Sequence, residues 1–372
     1  MSNAVQRRRG TTAQHAGFTG LVGEFTYDST KKVVVAHDGA TAGGNPMAPY
    51  ILTLNNFAKA NRAIVAFTAT GAGTATLSQN IYVDVVGQPM SFVSGATVVM
   101  PTLTAGTDYA IYACTDGTIR ADSSFTNPSG YTTSNSIQIG GFHYAPGGNA
   151  SAQAGGNTTP AINPYSFWDL KFRPKCPDPR GMTLVANSFW SDIYLLNVNH
   201  ITNGTSKYNV AYARGTTPPL VPTAFGGNGS TAYAEFNWWE AAEVTAAYGK
   251  RLPRHQEFSA LAYGTTEASA IGADQTNTIL NAAYTSKWGV IQSTGVLDQW
   301  GNEFGGGAAA PGWVNNTIGR GQTYQLPNAV VFGGDWGAAA SAGSRYSIWS
   351  SSPSLSSNLI GARGVCDHLI LD

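Results

Sequence analysis

A thiol, a carboxylate and an imidazole follow one another near the carboxyl end of the chain, at Cys366, Asp367 and His368. These are the residue types of a thiol nucleophile that a neighbouring base activates. In a strand, however, Cys366 and His368 would share one face and Asp367 the other. Neighbours two residues apart rarely reach the sulfur–nitrogen contact that a dyad needs. We therefore expect a closing strand with a buried cysteine rather than a catalytic dyad.

Oxygen ligands for a metal are concentrated at Asp298, Asn302 and Glu303, which are weak candidates for a calcium site. They lack EF-hand spacing, and a hydrogen-bonded loop is the alternative interpretation. The glycine-rich runs at 226–230 and 305–307 match neither phosphate-binding frame. The remaining histidines show no metal-binding spacing, and we expect them to be structural: His15, His37, His143, His200 and His255.

The segment between Trp336 and Gly361 has an unusual composition. Its 24 residues include nine serines and one charged side chain, Arg345, and they contain no His, Cys, Asp or Glu. Acid–base, nucleophilic and metal chemistry therefore have almost no residues to use here. Glycine and tryptophan residues frame the segment, beginning with Gly333 and Gly334. A rigid frame around small side chains indicates a surface that presents residues for binding, and no catalytic pocket.

Composition excludes several function classes. Of the 372 residues 11% are charged and the net charge is zero, so no bulk field would attract nucleic acid or an anionic membrane. The basic run Arg7–Arg9 is too short for a nucleic-acid footprint. No apolar segment resembles a signal peptide or a membrane span, so we expect no membrane insertion. The three cysteines are odd in number and far apart, which predicts no disulfide framework and folding in a reducing cytoplasm.

The positions of the tryptophans and of the turn signals divide the chain. All nine tryptophans follow residue 167, and turn signals cluster near 165–175. Residues 1–48 predict short strands at 24–27 and 33–37 that are too few to bury a core alone. Residues 49–170 predict a β-sandwich, with strands at 81–86 and 109–114 and a hairpin at Asp116-Gly117. The low-complexity tract 145–163 is either a flexible linker or an arm lying on a partner subunit.

Residues 171–372 combine helix and strand signals and predict an α+β domain. Asn237 and Glu240 form a capping-box pattern, and Gly249 is the stop signal of that helix. A second helix is predicted to start near Pro253 and to end at Gly264, with Phe258, Leu261 and Ala262 on one face.

Three blocks of the chain resemble one family. The N-terminal block contains AVQRRRGTTAQHAGFTG and VVVAHDGATAGG, and the middle block contains LTAGTDYAIYACTDGTIRADSSF. The C-terminal block contains DPRGMTLV, TSKYNV, GKRLP, WGNEFGG and GARGVCDHLIL. In this order they resemble the major tropism determinants, which are bacteriophage receptor-binding tail-fibre proteins varied by a diversity-generating retroelement.

The resemblance implies a multidomain, β-rich homotrimer without enzymatic activity. Its parts would be a β-prism for trimerisation and attachment at 1–48, a β-sandwich at 49–170 and a C-type-lectin-like receptor-binding domain at 171–372. Its location would be the tip of a virion tail fibre, assembled in the host cytoplasm. Its partners would be other phage tail proteins and a host outer-surface protein, which in the resembled family is an autotransporter such as pertactin. No cofactor is required, although calcium remains an open alternative.

The resemblance also implies which residues vary to meet different receptors. Within this set we expect the bulkiest side chains, Ile348, Leu355, Leu359 and Ile360, to form the apolar centre of an interface. The frame that holds the variable residues would comprise Trp336, Gly343, Ser344, Arg345, Trp349, Pro353 and Gly361. The twelve variable positions would be Asp335, Gly337, Ala338, Ala339, Ser341, Ile348, Ser350, Ser351, Leu355, Ser357, Leu359 and Ile360.

Three features depart from the family pattern: a shorter segment around 268–285, the presence of Cys176, and Arg8-Arg9. Two other functions remain as alternatives. The C-terminal domain also resembles formylglycine-generating oxidases, through RLP, WGNEF and GARGVC, but their chemistry needs a cysteine pair and residues 335–360 contain no cysteine. A calcium-dependent glycan lectin would need an EPN or QPD-type signature, which the sequence lacks.

Overall fold

The computed structural model of the chain describes residues 8–47, 57–308, 312–315, 322–324 and 327–371. Arg7 and the predicted boundary at 48–49 lie outside this part of the chain. Strands predominate and helices are few, so the predicted β-rich class is confirmed. In the described ranges no helix is long and apolar enough to cross a bilayer.

Residues 8–47 form a small sheet and one short helix. The strands predicted at 24–27 and 33–37 are observed one or two residues away, as an antiparallel pair. Val35 is the hydrophobic side chain that is fully buried in this described region. The sheet order is β1-β2-β3-β4, and the elements are β1 Arg9–Gly10, α1 Thr12–His15, β2 Phe25–Asp28, β3 Val33–Ala36 and β4 Asn45–Pro46.

Residues 57–169 share one hydrophobic core, which extends from Phe57 to Phe167. The predicted hairpin is confirmed, since Gly117 adopts a φ of 83° and its N–H donates to the Cys114 carbonyl oxygen. The predicted strand at 81–86 is observed with alternating buried positions. The strands are β5 Phe57–Lys59, β6 Phe67–Gly71, β7 Thr74–Leu77, β8 Ile81–Val85, β9 Gln88–Phe92, β10 Val98–Val99, β11 Thr107–Cys114, β12 Ile119–Asp122, β13 Ser136–Ala145, β14 Ala161–Ile162 and β15 Trp168–Asp169.

The C-terminal region contains both predicted helices. The Asn237 side chain accepts from the Trp239 N–H, and the Glu240 carboxylate accepts from the Asn237 N–H, so the capping box is confirmed. The helices are α2 His200–Asn203, α3 Trp238–Ala247 and α4 His255–Leu261. The strands are β16 Phe172–Pro174, β17 Met182–Val185, β18 Phe189–Asp192, β19 Asp298–Ala308, β20 Trp313–Asn315, β21 Gln322–Tyr324, β22 Pro327–Phe332, β23 Ser347–Ser351, β24 Ile360–Gly361 and β25 Val365–Ile370.

One long sheet runs through the segment in which a boundary was predicted. Its order is β10-β12-β11-β13-β15-β16-β25-β18-β17, with β14 beside β13. Strand β25, which closes the chain, pairs with both β16 and β18. The middle and C-terminal regions are therefore joined by backbone hydrogen bonds.

The tract 145–163 is not a free linker, because it packs on its own chain. The Ala150 N–H donates to the Ser286 carbonyl, and the Gly155 N–H donates to the Gly264 carbonyl. A Cβ at Gly155 would lie 2.5 Å from the Ala283 Cα. Small residues are therefore used here because this tract packs closely against 264–287 of its own chain.

Candidate functional site

The segment predicted to present residues lies at the edge of a second sheet, whose order is β23-β22-β19-β24. Gly333 and Gly334, with φ of 92° and 84°, turn the chain out of β22. A 3₁₀ turn at Ala339–Ser341 follows, and β23 then returns antiparallel to β22. We call residues 335–360 the display segment.

The exposure of the twelve predicted variable residues falls into three classes. Small side chains dominate the exposed class, and Leu355 is its one bulky aliphatic member. The exposed residues are Gly337, Ala339, Ser341, Ser350 and Leu355. The half-buried residues are Asp335, Ala338, Ile348, Ser351, Ser357 and Leu359, and Ile360 is buried.

The expectation that four bulky side chains form the apolar centre of an interface is wrong for Ile360, which is buried. Ile360 is 4% exposed and belongs to a core cluster that includes Trp300 and Phe236. Ile348 and Leu359 pack against the same cluster. Leu355, at 41% exposure, is the member that remains free to contact another molecule. The physical reason is that β24 pairs with β19 at the edge of the sheet opposite β23, and the Ile360 side chain there packs into the core cluster.

Glu267 anchors the first half of the display segment. Its carboxylate accepts from the Ser344 N–H at 2.9 Å and from the Ser344 hydroxyl at 2.5 Å. A Cβ on Gly343 would lie 2.2 Å from the Glu267 Oε2, so glycine is required at that position for the carboxylate to approach. Glu267 lies 77 residues away in sequence, and no local pattern marks it. Sequence reasoning therefore missed it.

Trp349 is held by the glycine run that matched no phosphate-binding frame. A Cβ on Gly305 would lie 2.7 Å from the Trp349 ring, and one on Gly306 would lie 2.3 Å from the Trp349 carbonyl oxygen. The half-buried ring packs against the core cluster that contains Phe258 and Phe332. Its Nε1–H donates to the Ser347 hydroxyl at 3.1 Å. The glycines thus make room for the tryptophan beneath the edge strand.

Backbone contacts hold the second half of the display segment. The Trp238 N–H donates to the carbonyl oxygen of Pro353, which is buried. The Gly215 N–H donates to the Ser357 carbonyl at 2.8 Å. The Asp298 N–H donates to the Leu359 carbonyl at 3.0 Å. Because the contacts are made by main-chain atoms, the side chains of this loop can change while its path is kept.

The other predicted frame residues differ in environment. Trp336 is half-buried against a cluster that contains Tyr212 and Leu297. Gly361 is buried, and a Cβ there would lie 2.9 Å from a Leu297 methyl carbon. Arg345 is exposed, which contradicts a framing role for its side chain. It is a charged member of the surface itself.

A buried carboxyl group lies directly beneath the display segment. Asp298 is 6% exposed, and within the described residues its Oδ1 has no hydrogen-bond partner. Burial raises its pKa to about 8 and the charge of Asp335 adds to the rise, while a hydrogen bond from the Gly334 N–H opposes it. Burial, with the charges of Asp298 and Asp335, also raises the pKa of Tyr346 to about 12. Position 335 is therefore electrostatically coupled to the core.

The three candidate calcium ligands do not converge. Glu303 uses its Oε2 to accept from the His255 N–H at 2.8 Å, at the start of α4. The Asn302 side chain is exposed, whereas Asp298 is buried. Across the described ranges, no group of three or more His, Cys, Asp or Glu side chains is arranged to hold a metal ion. The donor set predicted from sequence therefore does not fit calcium as one site, because Glu303 caps a helix instead.

The closing strand predicted around Cys366 is confirmed. Cys366 is 3% exposed in β25, and the His368 Nδ1 accepts from the Trp190 Nε1–H at 2.9 Å. The Trp190 indole and the His368 imidazole are thus hydrogen-bonded to each other, which is a structural role. Among the other histidines, His143 bonds to Asp108 at 2.8 Å and His200 bonds to the Tyr248 hydroxyl at 2.9 Å. These contacts agree with the structural roles expected for them.

Arg363, which follows the display segment, is a hub that sequence reasoning did not identify. Its guanidinium group is fully buried and donates to the Gln299 Oε1 and to four carbonyl oxygens. Two of these acceptors belong to Asp192 and Ile193, and the other two to Ile291 and Gln292. Burial lowers its pKa to about 9. The display segment therefore ends at a cross-linked point of the core.

Known family models match two parts of the chain. The model described as the Major tropism determinant N-terminal domain matches residues 5–41. The model described as the Mtd second domain matches residues 65–169.

The similarity to known proteins extends over the whole length. A protein of Bordetella phage BPP-1, named tail fiber receptor-binding protein, is 55% identical over 381 residues, which covers 100% of both chains. Solved structures of the M1, P3c and U1 variants of Major Tropism Determinant align with a TM-score of 0.87 and 55% identity. Each alignment covers 99% of this chain and 100% of the other.

Proposed function

The chain belongs to the major tropism determinant family, and we propose that it is a phage tail-fibre protein that selects its host by binding a bacterial surface molecule. The observation that carries this proposal is the 55% identity that spans the full length of both this chain and a tail fiber receptor-binding protein. The resemblance that the sequence blocks predicted is thereby confirmed.

The display segment is the surface we assign to the receptor. Its exposed residues are small or polar apart from Leu355, and its backbone is fixed through Glu267, Trp349 and Pro353. Such an arrangement suits recognition, because side chains can vary without moving the frame that holds them. Its relatives are named for binding, and on this basis we assign no enzymatic activity. A neighbouring reverse transcriptase gene and a near-copy template repeat would support variation by a retroelement.

The domain layout and the trimer are finer parts of the proposal. We assign a β-prism to 1–48, a β-sandwich to 49–170 and a C-type-lectin-like receptor-binding domain to 171–372. The N-terminal module supports assembly, because Leu21 and Val22, in the turn before β2, are 78% and 81% exposed while few residues of the module are buried. An apolar surface on so small a module favours contact with other copies of the chain.

The remaining parts of the proposal concern location and partners. The protein would lie at the tip of the tail fibre, contact other tail proteins through its N-terminal module and be assembled in the host cytoplasm. It would bind no nucleic acid, would not insert into a membrane and would require no cofactor. Calcium is tested directly: adsorption measured with EDTA and with added calcium should be equal.

The experiment that tests the function is competition for adsorption. Purified trimer is added to host bacteria before the phage, and free phage are counted after a short incubation. We expect wild-type protein to block adsorption, and Leu355→Asp to block it at least about tenfold less well, since a buried apolar contact would become a charge. Ile201→Asp is the matched control, because Ile201 is 37% exposed and lies outside the display segment, in α2.

Two results would contradict the proposal. Wild-type protein that fails to compete on any host the phage infects would remove the receptor-binding role. If Leu355→Asp, Ser350→Tyr and Ala339→Asp each compete as well as the wild type, the receptor contact lies outside the display segment.

A further inference from the structure

Two of the three cysteines lie beside each other where β16 ends against β25. Strands β16 and β25 pair antiparallel, with Pro174 opposite His368. One more bond follows, since the Lys175 N–H donates to the Asp367 carbonyl at 2.9 Å. The chain bends at 175–177, so Cys176 directly follows and Cys366 directly precedes this last bonded pair.

The hydrogen-bond pattern gives this position its geometry. The Leu371 N–H donates to the Lys171 carbonyl, and the Lys175 N–H donates to the Asp367 carbonyl. These bonds fix the register of the two segments as far as Lys175 and Asp367, and Cys176 and Cys366 are the next residues beyond that pair. A disulfide requires Cα atoms about 4.4–6.8 Å apart. Residues next to a bonded pair in adjacent antiparallel segments come within this range.

The side chains also meet, which is a separate observation. The Cys176 and Cys366 thiols hydrogen-bond to each other, and the Cys366 sulfur also accepts from the Cys176 N–H. Both residues belong to one buried cluster with Trp190 and Met182, and they are 1% and 3% exposed. The Cys176 sulfur lies 3.3 Å from the Met182 sulfur as well. The sulfur atoms of Cys176, Met182 and Cys366 therefore lie in one buried cluster.

The surroundings make the two thiols unequal. The hydrogen bond from Cys176 lowers the pKa of Cys366, and the nearby charge of Lys250 also favours its thiolate. The same hydrogen bond, together with burial, raises the pKa of Cys176. Lys250 is itself held by Asp192 and by the Thr205 hydroxyl. Cys366 is therefore the attacking sulfur and Cys176 the resolving one.

We propose that Cys176 and Cys366 are an oxidisable pair that closes into a cross-strand disulfide between the two ends of the C-terminal region. The oxidant is a small disulfide, R–S–S–R. The Cys366 thiolate attacks one of its sulfurs, forms a mixed disulfide and releases R–S⁻. Cys176 then attacks the Cys366 sulfur and releases the second R–S⁻. The two protein thiols supply the two protons, so the products are one protein disulfide and two R–SH.

The bond would enclose nearly the whole C-terminal region. The ring from Cys176 to Cys366 contains α2 to α4, the sheet beneath the display segment and the display segment itself. Closing a long loop restricts the unfolded chain most, so the crosslink should protect this region against unfolding. The expected rise in melting temperature is roughly 5–15 °C.

The test uses the full-length protein and oxidised glutathione. Protein is incubated with it under native conditions and at a urea concentration just below the unfolding transition, which exposes buried thiols transiently. Thiols are then counted in denaturant, and peptides are mapped without reduction. We expect the count to fall from three to one, with the 176 and 366 peptides linked. Cys176→Ser should form no link and should keep a mixed disulfide on Cys366, because the resolving thiol is missing. The melting temperature should rise in wild type and not in Cys176→Ser.

Cys114→Ser is the matched control, because Cys114 is also buried and burial raises the pKa of its thiol to about 11. That variant should still form the bond. Three thiols that persist under both conditions would overturn the proposal. In the wild-type protein, a mixed disulfide that stays on Cys366, or a link from either cysteine to Cys114, would overturn it as well.

Discussion

At the scale of single residues, the least expected group is the buried carboxyl of Asp298. Its environment is apolar enough to raise its pKa, and the one acidic side chain of the display segment, Asp335, adds to the effect. An unfolded chain loses this proton near pH 4, whereas the folded chain keeps it up to about pH 8. Between these values the folded state binds one proton more, so the free energy of unfolding falls as the pH rises.

We therefore predict that Asp298→Asn flattens the pH dependence of stability. At pH 4 the variant and wild type should unfold alike, since both carry a neutral side chain. At pH 9 the variant should be more stable by about 2–5 kcal/mol. Urea unfolding at several pH values measures this. Asp335→Asn should recover part of the gain, and parallel pH profiles for wild type and Asp298→Asn would refute the coupling.

The two arginines near the display segment lead to a second prediction. Arg363 is fully buried with five acceptors, whereas Arg345 is exposed. Arg363→Ala should cost about 3–5 kcal/mol or more, because several buried carbonyl oxygens lose their donor. Arg345→Ala should change stability by less than about 0.5 kcal/mol. Thermal melts of both variants measure the two losses of stability. Similar melting temperatures would contradict the structural role assigned to Arg363.

At the scale of elements, the edge strand β23 carries proposed variable side chains on one face and side chains that pack on the core on the other. Ser350 points to solvent, and its neighbour Trp349 packs over Gly305. The alternation of a strand lets one face be replaced while the other stays packed.

Ser350→Tyr combined with Ser341→Asn should therefore shift stability by no more than about 1 kcal/mol, because both side chains are exposed. Trp349→Ala should cost about 2–4 kcal/mol, in the lower part of the range for aromatic deletions because the ring is half-buried. Circular dichroism melts would measure both. Equal losses would show that this strand has no division between a variable face and a holding face.

At the scale of the whole molecule, the proposed trimer explains why the N-terminal module exposes Leu21 and Val22. The tract 145–163 packs on its own chain, so its conformation does not require a partner subunit. The contacts that hold the trimer together would therefore come mainly from the N-terminal module and from the surfaces of the other two regions.

We predict three chains per particle in light scattering at micromolar concentration, and a lower melting temperature on dilution, since assembly stabilises by mass action. Leu21→Asp with Val22→Asp should reduce the trimer fraction at least about tenfold. Tyr82→Asp, at a side chain of similar exposure outside this module, should leave it intact. A folded monomer with an unchanged melting temperature on dilution would refute the assembly.

Local interactions explain what the sequence by itself determined. The capping box at Asn237 and the hairpin at Asp116-Gly117 depend on residues within a few positions of each other. The closing strand at Cys366 was indicated by its own short apolar run, although its partner strand β16 is distant in sequence. Such signals can be read directly, and so could the three blocks that carry the family resemblance. The position of the display segment followed from its lack of reactive side chains and from the glycines around it.

Tertiary structure alone decided which residues of that segment are free. Glu267 binds Ser344 although 77 residues separate them in sequence. The ring of Trp349 lies where a side chain at position 305 would otherwise be, so it requires glycine there. Ile360 matches the variable pattern but is buried, because its side chain packs into the core cluster where β24 pairs with β19. Contacts between distant segments leave no periodic trace in the sequence, since each partner is chosen by packing in space rather than by spacing along the chain.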